Sequence, residues 1–404
     1  MNQCLLSVFL IAGIFTSCDS DTKILSHREM PEVLLDSLPG ECPYLTKDNK
    51  GNTIASWTRI INDSLTAFCY AVSKDGKKFS KPFVIPNSGN IQPHGENLPK
   101  ILFKPSGEIL ALWGAANPNQ NNKYSGLVYY VQSFDDGKSW TIPRKLVNDT
   151  ASYDQRYYDV ALLRNGEAGI IWLDNRKTTS SEGSGLYFAS TEGRNGFLHD
   201  RLISQPCCQC CRTDLFVDNK GFIHTLYRGI IQDSIRDMVH SVSKDGGKAF
   251  AKPVRISDDN WVINGCPHTG PSMTETNTGL AFAWFTGGKN KGCYFSGSKD
   301  NGNTFSERDE ISQNGSHPQL THLSDDNVVV VWDEGVQVGD RNFRKIGIQS
   351  RDFQGANTNN IFITPDTATA AYPVIATIGN KGALVAYTRK HGYRNYITCQ
   401  VVQF

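Results

Sequence analysis

The sequence predicts an all-β protein, a β-propeller of seven four-stranded blades, and three observations carry that reading. One hairpin recurs seven times; a Ser-x-Asp turn recurs in phase with it; and the chain is rich in glycine, 36 residues, and in aromatics, 10%. Each hairpin runs from an apolar strand through a Gly- or Asn-bearing turn into a second strand that ends in Trp or Tyr. The terminal aromatics are Trp57, Trp113, Trp172, Tyr227, Trp284, Trp332 and Tyr387, at intervals of 56, 59, 55, 57, 48 and 55 residues. A third strand follows most copies, as in GLVYYVQS at 126–133, and then a turn and a fourth. A four-stranded antiparallel sheet roughly every 50 residues is a propeller blade. Coincidental spacing in a β-sandwich does not produce seven copies.

Taken from the start of the chain, residues 1–17 read as a lipoprotein signal peptide. Leu5 to Phe15 is an apolar run too short to span a bilayer as a helix, and Phe15-Thr16-Ser17-Cys18 precedes polar Asp19-Ser20-Asp21. The pattern predicts export and acylation of Cys18, with plain secretion as the alternative, although Met1-Asn2-Gln3 lacks the usual basic residue. The expected location is a bacterial cell envelope, with the membrane touched only through the lipid anchor. Residues 18–38 read as tether and closing strand. The seventh hairpin is followed only by its third strand, NYITCQVVQF, so Lys23 to Leu38 is expected to supply the fourth. Residues 39–404 form the propeller. Lys+Arg is 41 and Asp+Glu is 40, and no basic stretch interleaves with aromatics, which argues against nucleic acid as a partner.

The recurring turn has the form S-x-D-x-G-x-x-aromatic. It is complete at Ser133 to Trp140, Ser243 to Phe250 and Ser298 to Phe305, and one residue shorter at Ser73 to Phe79. Its Ser and Asp side chains are suited to bond local amides, and its Gly accepts positive φ. These turns resemble the Asp boxes (BNR repeats) of the sialidase superfamily. Through Cys208-Gln209-Cys210-Cys211-Arg212-Thr213-Asp214, followed by Gly265-Cys266-Pro267-His268, the chain further resembles exported sialidase-like proteins to which no reaction is assigned. The resemblance implies three arginines against a substrate carboxylate, a Tyr nucleophile paired to a Glu, and an Asp acid/base. Two departures stand out. The family has six blades, and where its first arginine opens the first blade this chain has Glu41, an anion that repels a carboxylate.

In a four-stranded meander the Ser-x-Asp turns lie opposite the face where first strands begin and second strands end. Function is therefore expected on that second face, around the channel. Candidate catalytic residues gathered there are His94, Arg156, Tyr158, Asp159, Arg212, Arg228 and Tyr372, in a rim that also holds Asp154, Tyr157, His317 and Asp333. His224 and His240 fall within strands and read as packed residues. An anionic-glycan lyase would use a His or Tyr base and an Arg against the carboxylate, and His94, Tyr158 and Arg156 suit those parts. The second constellation is Cys207, Cys208, Cys210 and Cys211, with Cys266 and His268 at the next blade's entrance. Thiolates at C-x-x-C spacing with one His suit Zn²⁺ or Cu(I), and a disulfide from Cys266 to the cluster is the alternative. Three functions stay open: an enzyme on an anionic glycan, either exo-glycosidase or lyase; a non-catalytic metal-thiolate protein; and a glycan- or protein-binding propeller.

Overall fold

The computed structural model describes residues 1, 28–29 and 31–404, apart from 121, 177–182, 324–325 and 354–359. The signal segment and Cys18 lie outside the described residues. Seven antiparallel sheets follow one another along the chain, and one short 3₁₀ turn, Gly193–Asn195, is the only helix among the described residues. Blade 1 is typical: strands Gly40–Lys47, Thr53–Asn62, Leu65–Ser73 and Phe83–Val84. Its register pairs Gly40 with Arg59 at one end, and Lys47 with Thr53 and Thr53 with Ser73 at the other. First-strand entrances and second-strand exits thus share one face, and the turns after the third strands share the opposite face.

Those turns are closed by their own side chains. Ser133 Oγ accepts from Gly137 N at 2.8 Å and Asp135 from Ser139 N at 2.8 Å, and the same pair of bonds recurs at Ser243 and Ser298. The aromatics that end them, Phe79, Trp140, Phe250 and Phe305, pack against apolar clusters lying between neighbouring blades. The repeat tryptophans fill the same seams and are fully buried, so their indole N–H needs a partner. Trp57, Trp172, Trp284 and Trp332 give it to Asp36, Asp174, Asp259 and Glu334, at 3.3, 2.9, 2.7 and 2.9 Å. His224 and His240 are buried inside blade 4, bonded to each other at 2.9 Å.

The ring is closed by chain ends. The last strand, Arg394–Gln403, takes its outer partners from the N-terminal stretch, with Arg28 opposite Gln403 and Val33 opposite Cys399. Glu32 accepts the Tyr387 hydroxyl at 2.8 Å and pairs with Arg389, which pins the junction.

Candidate active site at the channel mouth

Four first strands break register at the same step: between Glu41 and Tyr44, Arg156 and Asp159, Ser316 and Gln319, and Ala371 and Val374. At each break one non-glycine residue adopts left-handed backbone: Cys42 at φ 60°, Tyr157 at 56°, His317 at 52° and Tyr372 at 54°. His268, just ahead of the first strand of blade 5 (Ser272–Glu275), does the same at φ 48°. Such a conformation costs on the order of 1–3 kcal/mol per residue, and a bulge of this kind re-aims one side chain. The re-aimed groups meet at the mouth. The His317 and Tyr372 rings lie 4.1 Å apart, and His94 lies 5.6 Å from Tyr157 and 5.0 Å from His268.

Blade 2 enters through a loop, and its His94-Gly95-Glu96 crosses the mouth. A Cβ on Gly95 would stand 2.4 Å from the Tyr372 ring, so only glycine allows that approach. Glu96 is fully buried and accepts from Arg212 Nη1 at 2.8 Å, Arg212 N at 3.2 Å and Gly270 N at 2.5 Å. Arg212 Nη2 in turn donates to the carbonyls of Gly270, Pro271 and Pro318. This one ion pair joins blades 2, 4, 5 and 6 beneath the site.

A cavity of about 500 Å³ opens beside the loop, lined by His94, Arg156, Tyr157, Cys210, Cys266 and His268 together with Gln92, Asn97, Asn122, Tyr124 and Gln209. No carboxylate is among these lining residues. Asp154 grips the Arg156 guanidinium through Nε and Nη2, both at 2.7 Å, leaving Nη1 without a protein partner among the described residues. The same guanidinium stands 5.3 Å from the Tyr157 ring centroid. Burial, with His268 next, lowers the His94 pKa and keeps the ring neutral. Its Nδ1 accepts the Glu96 amide at 3.2 Å, so the neutral ring carries its proton on Nε2 and presents a donor. His317 is the opposite case. Its Nδ1 faces Asp333 at 2.9 Å, and that carboxylate, outweighing burial, raises its pKa.

Of the candidates drawn from sequence, His94, Arg156, Cys210, Cys266 and His268 line the cavity, and Tyr372 is outside that lining, its ring close against Gly95 and His317. Four others are committed elsewhere. Tyr158 is buried in the seam between blades, its hydroxyl donating to Leu98 O at 2.6 Å and Leu112 O at 3.0 Å. Asp159 binds Lys100 at 2.5 Å and Leu215 N at 2.8 Å. Arg212 is spent on Glu96, and Arg228 on the carbonyls of Arg236, Thr269 and Phe285. The bulge explains the first pair: Tyr157, at the left-handed step, reaches the cavity wall beside Arg156, and Tyr158 and Asp159 after it are turned into the interior. Gln92, Asn122, Tyr124 and Gln209 carry no sequence signal that would have found them; they sit on loops whose course only the fold sets.

Among the cysteines, Cys208, Cys210 and Cys211 gather, with their sulfurs all within 4.8 Å of one another and Cys208 to Cys210 at 3.6 Å. Tetrahedral Zn–S bonds of about 2.3 Å place sulfurs about 3.8 Å apart, so the three thiols fit a thiophilic ion. Hydrogen bonds from Cys210 and Cys211, with Arg228 and Arg236 behind them, hold Cys208 toward the thiolate. Cys207 points away, toward Ser204 O at 3.7 Å, and Cys266 is exposed at the cavity. All nine described cysteines are free thiols.

No family model matches the sequence, and no curated protein does. Among solved structures the chain is similar to a protein of unknown function from Dyadobacter fermentans (TM-score 0.58, 17% identity, 94% of this chain and 100% of that one). It is also similar to the polysaccharide lyase Uly1 (TM-score 0.56, 11% identity, 91% and 90% covered). A third is a variant of the NanB sialidase from Streptococcus pneumoniae (TM-score 0.50, 10% identity, 89% and 85% covered). At such identities the likeness is one of fold: this is a sialidase-like propeller.

Proposed function

We propose that the protein is an exported, lipid-anchored enzyme that cleaves a uronate-containing glycan by β-elimination. The observation that carries this reading is the cavity wall itself, which offers a guanidinium, imidazoles and a phenol but no carboxylate. Glycoside hydrolysis in most families uses two carboxyl groups flanking the scissile bond. The nearest carboxylates here are committed, Asp154 to Arg156 and Glu96 to Arg212. Elimination needs different parts, and those are present. Arg156 Nη1 meets the uronate carboxylate and makes the C5 proton more acidic. Tyr157, beside that guanidinium, gives its hydroxyl proton to the leaving oxygen at C4 as the C4–O bond breaks and C4=C5 forms. His94 Nε2–H donates a hydrogen bond into the same space. That one fold neighbour is a polysaccharide lyase agrees with this choice.

The test is a panel of uronate polysaccharides assayed by the ultraviolet absorbance of the new double bond. Arg156→Ala is expected to lower kcat/KM about 10- to 100-fold, the worth of a charge-assisted hydrogen bond, with little change in thermal stability. Cleavage yielding saturated products, or no cleavage of any uronate glycan, would sink the proposal.

Cys208, Cys210 and Cys211 would hold Zn²⁺ or Cu(I) as a structural fixture between the cavity and Arg228. Protein purified from its own host is expected to carry about one metal per chain by elemental analysis, and Cys208→Ser and Cys211→Ser to lose it. Metal-free wild type with full stability would refute this part.

A further inference from the structure

Resting on the lyase reading, we propose that His317, oriented by Asp333, is the general base that removes the C5 proton. The case starts from geometry. Two histidines carry opposite tautomers: His94 on the cavity wall, and His317 against Tyr372 and Asp333, near enough to His94 to act on its charge. His94 accepts at Nδ1 and is therefore a donor at Nε2, so it has no free lone pair for a base. His317 places Nδ1 against both oxygens of Asp333, at 2.9 and 3.1 Å, which puts the proton on Nδ1 and the lone pair on Nε2. A buried carboxylate that fixes the tautomer of an imidazole is the arrangement by which histidine bases are made.

The surroundings hold that arrangement in place. Asp333 is wholly buried, the last buried residue along its strand (Val328–Val338), and it also takes the Tyr372 amide at 2.6 Å and pairs with Arg344. Tyr372 packs against His317 with the ring planes tilted by 35°, and both residues carry the left-handed backbone described above. Three elements therefore converge to fix one ring, each at some cost in strain or desolvation. The charged and titratable groups facing His317 are Asp333 and Arg344 from its own blade, Tyr372 from blade 7, and Glu96 and His94 from the loop entering blade 2.

The step balances. His317 Nε2 takes the C5 proton; the C5–H electron pair becomes the C4=C5 bond; the C4–O pair leaves with its oxygen, which receives the Tyr157 proton. Imidazolium and phenolate then reset by proton exchange through water. Asp333 raises the base's pKa while burial opposes it, so the acid limb of kcat/KM should fall above the ordinary histidine value of about 6.5. Activity is lost below that limb, where the imidazole is protonated.

The experiment is His317→Ala on whichever uronate glycan the wild type cleaves. The expected result is a loss of at least about 100-fold in kcat, partial recovery with added imidazole, and disappearance of the acid limb. Asp333→Asn should cut kcat while moving that limb to lower pH. A structural role would give neither imidazole rescue nor a moved limb. If the wild type is active and His317→Ala keeps its rate and pH profile, this inference fails while the lyase reading stands. If His317→Ala does not fold, Asp333→Asn and its limb decide. A wild type that forms no double bond on any uronate overturns both.

Discussion

Replacing Arg212 by alanine is expected to destabilise the protein by about 3–5 kcal/mol, a larger loss of stability than any single substitution at the cavity surface. The reason is what stays behind. Glu96 is fully buried and would keep only the Gly270 amide and whatever the Arg212→Ala backbone still offers, while three carbonyls lose their donor. Breaking a buried pair leaves an uncompensated charge, which costs more than the pair itself is worth. Urea unfolding reads the loss directly. Adding Glu96→Gln to Arg212→Ala should recover part of it, since a neutral amide is cheaper to bury than a lone carboxylate. Arg156→Ala, whose ion pair is partly exposed, should move the midpoint far less. Equal effects at the two arginines would show that Arg212 does not carry the junction of blades.

That contrast also marks what could be read from the chain. Seven hairpins and their spacing were legible because each blade must bury the same aromatic in the same seam, and the requirement repeats in sequence. The Ser-x-Asp turns were legible because their bonds are local, within four residues. Arg212 and Arg228 read as candidate site arginines because sequence does not show burial; Arg212 is spent on Glu96 and on carbonyls 58 to 106 residues away, and Arg228 on carbonyls of its own and the next blade. Sequence offers Tyr157 and Tyr158 alike as rim residues; the bulge that brings Tyr157 to the cavity and turns Tyr158 inward is set by strand register, which the sequence does not display. Of the two partners that make His317 chemically distinctive, Asp333 lies 16 residues on, across a hairpin, and Tyr372 belongs to another blade. Each was visible as a rim residue, but their convergence on one ring was not. The cysteine cluster sat between the extremes: three of its members meet, and Cys207 turns away although its spacing is equally good.

A chain beginning at residue 39 is expected to lose the fold's closure, whereas one beginning at residue 28 should unfold like the full-length protein. The last strand, Arg394–Gln403, would be left with an open edge of backbone donors and acceptors, which invites pairing with other chains. Leu35, 5% exposed, would leave the core it shares with Trp57 and Ile397. Asp36 would leave Arg59 Nε, now at 2.6 Å, and the Trp57 indole without an acceptor. One buried leucine contributes about 1.5–3 kcal/mol, and each orphaned polar group costs about 1–3. Together with the lost strand pairs, these losses are comparable to the 5–15 kcal/mol or so that holds a typical domain folded. Size-exclusion profiles and thermal unfolding of the two chains make the comparison, with Asp36→Ala in the longer chain expected to fall between them. A chain from residue 39 that stays monomeric and melts with the full-length protein would mean that the blade-to-blade seams close the ring unaided, and that the N-terminal strand serves only to connect the propeller to what precedes it.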